Sequence, residues 1–222
     1  MPATFLARPN RFLVVARVDG REVRLASRDP GRLRELLAPG ASLLAAPASD
    51  PARRTAYTMT LVRRRRRWIC LVPALANRVF ESALRRGGVP GLAGARVLAR
   101  EVAAGASRFD FMLDHQGRRV LTEVKSVTLV SRGRGLFPDA PTARGTRHLR
   151  ELAAVRRAGG DALVVFLVQR GDAAAVAAHA RIDPHFARAL EEAAAAGVRL
   201  QAYTCAVSPA GIRLERAVPV LL

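Results

Sequence analysis

Lysine is nearly absent from this chain: Lys125 is the single lysine among 37 basic residues, the other 36 being arginine. Cysteine is scarce as well. Cys70 and Cys205 stand far apart, without metal-ligand spacing, and point to a reducing, cytoplasmic compartment. No apolar run is long enough to cross a bilayer, so no membrane partner is expected. The best candidate, Ala162–Val168, suits a buried strand. The first fifteen residues carry no long apolar segment and no small-residue cleavage site, so no signal peptide is expected. Acidic residues are few, 18 against 37 basic ones, which leaves a net charge of +19.

What is present narrows the function. Half of the 222 residues are apolar, enough for a real core in one large domain or two modest ones. A folded domain this basic tolerates its self-repulsion better when a partner supplies negative charge. DNA, or else RNA, is the usual such partner, through phosphate contacts and counterion release. A generically basic protein, a ribosome-associated factor and a membrane-surface binder share the same charge signature. The lone lysine is sharper. Arginine is a wide planar fork, whereas lysine is a compact point charge on a flexible stem. In a chain that uses arginine wherever either will serve, position 125 is a candidate for a role that arginine cannot fill.

Pattern and turn chemistry predict two domains, 1–74 and 75–222. The first reads as strands at Arg11–Val18, Arg21–Ala26, Ser42–Ala46, Thr55–Arg63 and Arg67–Val72, with Asp19-Gly20 as a hairpin turn. A short helical patch is expected at Leu33–Leu37. Short strands in this number suit a small barrel, and the OB-fold is the nucleic-acid-binding candidate. Arg63, Arg64, Arg65, Arg66 and Arg67 fall at the last hairpin and are expected to meet phosphates, although a solvated tip would look the same. From Pro73 onward the pattern is mixed α/β. Helices are expected at Ala74–Arg86, Arg144–Arg157 and Pro184–Ala196. Strands are expected at Arg96–Ala103, Phe109–Leu113, Arg118–Val127, Ala162–Val168 and Arg199–Ala206, with edge strands in Gly211–Leu222.

The hairpin Phe109–Leu113 to Arg118–Val127 gathers the residues with chemistry. With Asp114–Gly117 as a four-residue loop, Leu113 faces Arg118 and Asp110 faces Leu121, diagonal to Glu123. Glu123 and Lys125 are two apart and share a strand face, so this register puts Asp110, Glu123 and Lys125 on one surface. Two carboxylates on one face repel unless a cation joins them. Their oxygens suit Mg²⁺ or Mn²⁺, which keep waters and can take a substrate phosphate. Such an ion could activate water at a phosphodiester, with Lys125 orienting that water or neutralising the developing charge. A surface salt-bridge cluster is the bland alternative.

Asp110 followed by Glu123-Val124-Lys125 resembles the core of PD-(D/E)xK phosphodiesterases. The surrounding text is more specific. Arg108-Phe109-Asp110-Phe111-Met112-Leu113, Glu123-Val124-Lys125-Ser126-Val127-Thr128-Leu129, Phe137-Pro138-Asp139-Ala140 and Arg144-Gly145 with His148-Leu149-Arg150-Glu151-Leu152 together resemble the sugar fermentation stimulation protein family. The resemblance runs from Arg11-Phe12 to Val218-Pro219-Val220. It implies an N-terminal OB-like barrel and then a mixed α/β, PD-(D/E)xK nuclease-like domain, in a DNA-binding protein linked to expression of sugar-use genes. It implies Asp110, Glu123 and Lys125 as catalytic positions, and Glu101 as an acidic position that could join Asp110 and Glu123 around a metal.

There are departures. Ser27-Arg28-Asp29-Pro30-Gly31 stands where relatives carry a Cys-Pro-Asn-Thr-Gly-like stretch, and Ser82, one position after Glu81, stands where the first helix often has a carboxylate. On the second predicted helix Arg144, His148 and Glu151 could face one direction. Arg144 and His148 are candidate phosphate contacts, with a satisfied core histidine as the alternative for His148. Asp139 reads as a loop or capping residue. The leading expectation is a DNA-binding protein of weak or no sequence preference. The alternatives are a Mg²⁺- or Mn²⁺-dependent DNA nuclease, and a regulator that retains a dead site.

Overall fold

A computed structural model of the chain describes residues 1–48 and 54–222. Its N-terminal strands are β1 (Pro2–Asn10), β2 (Leu13–Val18), β3 (Arg21–Ala26), β4 (Ser42–Pro47), β5 (Tyr57–Arg64) and β6 (Arg67–Cys70). The order β3-β2-β1-β4-β5-β6, with a further β3–β5 pairing, closes β1 to β5 into a barrel and leaves β6 appended to β5. Alternation builds its core: Val14, Ala16 and Val18 turn inward from β2, and Ala3 and Phe5 from β1. Leu25, Leu43, Met59, Val62 and Ile69 fill the rest.

Two expectations are corrected here. Strand β1 was not anticipated, and Arg11 and Phe12 lie in the β1–β2 turn rather than in a strand. Pro2 and Pro9 conceal β1, because proline lacks the N–H a ladder uses and is confined to strand starts, edges and irregular stretches. Pro2 opens the strand, and Pro9 falls in the register shift between Ala7 and Asn10. Leu33–Leu37 is a single turn closed by Leu37 N donating to Leu33 O (2.9 Å), not a helix.

The remainder runs α1 (Leu75–Arg85), β7 (Arg96–Ala104), β8 (Ser107–His115), β9 (Arg118–Val127), β10 (Val130–Ser131), β11 (Arg134–Phe137) and α2 (Ala143–Arg157). It continues with β12 (Asp161–Val168), β13 (Ala175–Ala178), α3 (Pro184–Ala195), β14 (Arg199–Ser208), β15 (Gly211–Val218) and β16 (Val220–Leu221). The main sheet is ordered β15-β14-β12-β9-β8-β7, with β12 parallel to β9 and β14. Strand β12 is apolar from Ala162 onward because both of its faces are covered. Leu163, Val165 and Leu167 pack with Val79 and Phe80 of α1, and Val164 and Phe166 pack with Leu149, Leu152 and Phe186 of α2 and α3. Side chains cap the last two helices: Thr142 accepts from Gly145 N (3.0 Å) and Asp183 from Phe186 N (2.9 Å). A second sheet, β10-β11-β13-β16, was not anticipated, since its strands are short and β13 is alanine-rich.

The β8–β9 turn uses only Gln116 (φ +56°) and Gly117 (φ +75°), so His115 pairs with Arg118 and Met112, not Asp110, faces Leu121. The expected register was two residues out. A slip of two keeps each side chain on its own face of β9, whereas a slip of one would have reversed it.

The barrel and the α/β part are welded together. Gln169 and Arg170, just after β12, are 0% and 3% exposed. Cys70 N donates to Gln169 O (3.1 Å) and Gln169 Nε2 to Val72 O (3.2 Å) across the seam, while Arg170 Nη1 donates to Thr128 O (3.1 Å) within the α/β part. Both cysteines are free and buried. Among the described residues, no helix is long and apolar enough to cross a membrane.

Candidate active site at the domain seam

Strand β9 turns Leu121 and Val127 into the core on the α2 and α3 side, and Glu123 on the same pleat meets His148 of α2. Glu123 is 5% exposed, Lys125 9% and His148 1%. Lys125 Nζ donates to Glu123 Oε1 at 2.6 Å, and His148 Nδ1 lies 2.7 Å from the same oxygen. Arg144 Nε donates to His148 Nε2 at 3.2 Å. A guanidinium can only donate, so Nε2 accepts and the ring proton sits on Nδ1, directed at Glu123. Burial pushes the Glu123 carboxyl upward, but His148 and Lys125 outweigh it and hold the group below the ordinary glutamate range. Its other oxygen, Oε2, is buried and has no hydrogen-bond partner among the described residues.

Asp110 reaches the same place by another route. Phe109 packs with the α2 and α3 side and Phe111 with the α1 side although they are two apart, so the alternation of β8 breaks at Asp110. The β8–β9 ladder ends at Phe111 opposite Thr122. Beyond it Asp110 Oδ2 accepts from Val124 N (2.7 Å), in place of a strand carbonyl, and Asn77 of α1 donates to Oδ1 (2.6 Å). Burial and then the charge of Glu123 push the Asp110 carboxyl above the usual aspartate range. Asp110, Glu123 and Lys125 do share one cleft, of about 500 Å³, with Arg11 and Asp29 from the barrel and Arg144 from α2. They do not share one sheet face as expected, because the break in β8 carries Asp110 into the gap between two strands.

Glu101 sits in β7 between the pairs Arg100–Phe111 and Val102–Phe109, with φ +52° and an exposed side chain. With Asp110 it lines a second cleft of about 520 Å³ on the α1 side. Glu81 in that cleft is engaged by Arg100 and by Arg85 (2.5 Å), and Arg100 above all holds its carboxyl below the usual range. Among the described residues no three His, Cys, Asp or Glu side chains converge into a ready-made metal cage. A hard divalent ion does not require one, since Mg²⁺ is commonly held by one or two carboxylates with waters and a substrate phosphate. The buried, unpartnered Glu123 Oε2 beside Asp110 fits such an ion.

Three further expectations meet the structure. His148 has no surface to offer a phosphate and instead supports Glu123 from beneath, which corrects its assignment as a nucleic-acid contact. Glu151 points away to the β7–β8 turn, where it accepts from Ala106 N (3.2 Å). Asp139 caps no helix; its Oδ2 accepts from Leu33 N (3.2 Å) across the domain seam. Sequence reasoning did not single out Asn77, whose only signal is an amide beside the buried stripe Ala76-Val79-Phe80-Ala83 of α1.

The loop that departs from the family pattern lies in the cleft all the same. Asp29 is 6% exposed, with Oδ1 accepting from Gly31 N (2.8 Å) and Oδ2 from Thr128 Oγ1 (3.3 Å). A Cβ on Gly31 would stand 2.6 Å from Asp139 Oδ2 and 2.9 Å from Asp29 Oδ1, so glycine allows the two carboxylates to close around it. Burial, with the charge of Asp139 adding to it, pushes the Asp29 carboxyl above its usual range. The native state therefore keeps this proton to higher pH than the unfolded chain does. Stability falls as pH rises from the unfolded aspartate value through the raised native one. Asp29→Asn is expected to stabilise the protein at pH 7 by about 1 kcal/mol, or about 2–4 °C in melting temperature, and to add nothing in acid below the unfolded aspartate value. Thermal melts at the two pH values check this; an unchanged or lower midpoint at pH 7 contradicts it.

The arginine run forms the β5–β6 tip, with Arg65 at φ +54° and every arginine from Arg63 to Arg67 exposed. Arg64, Arg65, Arg66, Arg67, Arg132 and Arg170 line a basic cleft of about 610 Å³. Asp172, also in that lining, is held by Arg170 at 2.6 and 2.8 Å. Arg63 instead lies over the Trp68 ring, 5.8 Å from its centroid.

Two family models match the chain: the SfsA N-terminal OB domain over residues 6–71 and the sugar fermentation stimulation protein RE domain over residues 74–211. A sugar fermentation stimulation protein homolog of Moorella thermoacetica is 49% identical over 222 residues, covering 99% of this chain and 96% of the relative. A homolog of Methanothermobacter thermautotrophicus is 41% identical over 204 residues, covering 91% and 85%. A solved structure described as Pyrococcus furiosus SfsA in complex with Ca²⁺ matches with a TM-score of 0.91 at 28% identity, over 100% of this chain and 95% of that one. With both halves matched and close relatives aligned end to end, the chain belongs to the sugar fermentation stimulation protein family.

Proposed function

We propose that this protein binds DNA and, with a divalent cation held by Asp110 and Glu123, hydrolyses its phosphodiester bonds. The observation that carries the proposal is Glu123: a buried carboxylate kept ionised by His148 and Lys125, with Oε2 unpartnered beside a second carboxylate. Mg²⁺ or Mn²⁺, when bound, would polarise the phosphate and make a coordinated water more acidic. The chain supplies the rest. Asn77 fixes Asp110 through Oδ1, and His148, its tautomer set by Arg144, fixes Glu123 through Oε1. Lys125, tethered to Glu123, places a positive charge in the cleft where it offsets charge building on a phosphate. The Ca²⁺ in the Pyrococcus relative supports a hard divalent cation as a ligand of this fold.

DNA binding itself rests on the net charge of +19 and on the arginine-lined cleft. Replacing Arg64 to Arg67 with alanine is expected to weaken duplex binding and to reduce the slope of log affinity against log salt by about 0.9 for each phosphate no longer neutralised. Anisotropy titrations at several salt concentrations measure it, and an unchanged slope would remove this tip from the interface. The hydrolytic half is tested by incubating the protein with plasmid and single-stranded DNA in Mg²⁺, Mn²⁺ or EDTA. Cation-dependent cleavage supports it; intact DNA in every condition sinks it. Binding without cleavage, as in a regulator of sugar-use genes, is favoured by one observation, the lack of a third converging acidic or histidine side chain among the described residues.

A further inference from the structure

Phe12 is 59% exposed, and it is the one aromatic among the large hydrophobic side chains left exposed in the described residues. It takes no part in the barrel core. Its mount is nevertheless rigid. Phe12 N donates to Asn10 Oδ1 (2.9 Å), and Phe12 O accepts from Ser27 N (2.8 Å). Arg8 donates to the carbonyls of Asp29 (2.9 Å), Gly31 (2.7 Å), Arg32 (2.8 Å) and Arg11 (3.0 Å), pinning the β1–β2 turn to the loop that lines the seam cleft. Arg11, itself a lining residue of that cleft, holds its guanidinium over the Phe12 ring, 4.7 Å from the centroid. A fixed aromatic ring with a guanidinium over one face, adjacent in sequence to a lining residue of the cleft proposed above to take phosphate, matches what a nucleotide offers: a base with a π-face and an anionic backbone. Because the turn is already ordered, little freedom is lost when a base settles on it.

We infer that Phe12 is a stacking platform for an unpaired nucleobase, so that the seam cleft takes single-stranded or locally opened DNA rather than closed duplex. This rests on the DNA-binding reading above and adds the form of the substrate. A base inside a duplex has both faces covered by its neighbours and cannot reach an exposed ring without being splayed out.

Anisotropy in EDTA with a single-stranded oligonucleotide, a fully abasic strand of the same length, and a blunt duplex tests the inference. Phe12→Ala is expected to weaken single-strand binding about 5- to 150-fold, the range for one base–aromatic stack. Duplex and abasic-strand affinity stay within about twofold, since neither presents a free base to the ring. Phe12→Tyr should bind like the wild type, and Phe12→Leu, which keeps apolar bulk without a ring, should behave like alanine. Melting temperatures should not move, since the ring supports no core. Equal losses on single strand and duplex, no loss at all, or self-association of the wild type that Phe12→Ala abolishes would each overturn the platform. A wild type that binds none of the three DNAs would instead refute the DNA-binding reading on which it stands.

Discussion

Glu123→Gln is expected to abolish metal-dependent cleavage, by at least about a thousandfold or 4 kcal/mol of transition-state stabilisation, while leaving DNA binding intact. The reason lies in how the two carboxylate oxygens are used. Oε1 accepts from Lys125 and His148, and a glutamine carbonyl can keep both bonds. The amide nitrogen then takes the position of Oε2, the buried oxygen without a partner, and replaces an acceptor with a donor where a cation would sit. The arginine cleft is elsewhere and loses nothing. Gel-based cleavage and anisotropy on the same preparation separate the two effects. Cleavage that survives would place the chemistry outside this cleft, and binding that falls in parallel would mean that the substitution had disturbed the fold.

Lys125→Met is expected to lower stability by about 3 kcal/mol at neutral pH, or about 6–12 °C, because removing one partner of a buried pair leaves an uncompensated charge. Glu123 would keep His148 but lose its only nearby ammonium, and burial, already the largest influence on it, would then push its carboxyl upward. In the wild type Glu123 is lowered, so its pair adds stability above the unfolded glutamate value that is lost as pH falls through the native one. In the variant the sign reverses: the penalty is full at neutral pH and disappears as Glu123 protonates in acid. The gap between wild type and Lys125→Met should therefore narrow as pH falls past the unfolded glutamate value and close only below the lowered native one. Melts across pH check this, and a gap independent of pH would show that packing, not charge, decides it. Lys125→Arg keeps the charge but forces a wider fork into a site only 9% exposed. It should fold better than the methionine variant and still lose cleavage, which would explain why one lysine persists among 36 arginines.

The sequence made the two-part architecture legible because barrel strands alternate, β12 is uniformly apolar, and Gly-Gly and Asp-Gly mark turns plainly. It also brought Asp110, Glu123 and Lys125 together, through a register two residues out that happened to preserve parity. Hidden from it was everything set by long-range packing. Asp110 leaves its strand face because Val124 N and Asn77 capture it, and neither is visible in a local pattern. His148 read as either a phosphate contact or a satisfied core histidine, and only the packing of α2, which sets it against Phe109 and under Glu123, decides for the second. Arg11 and Phe12 read as the start of a strand, but Asn10 and Ser27 at Phe12 and Arg8, reaching four carbonyls, fix them as a turn at the cleft.

The central claim is that Glu123 and Asp110 together receive a divalent cation at the seam. Titrating Mn²⁺ into the wild type, Glu123→Gln and Asp110→Asn, read by calorimetry and by the relaxation of water protons, tests it without depending on turnover. One Mn²⁺ site in the wild type that is lost in both variants is the predicted result; no site in the wild type, or a site that survives both substitutions, would contradict the account.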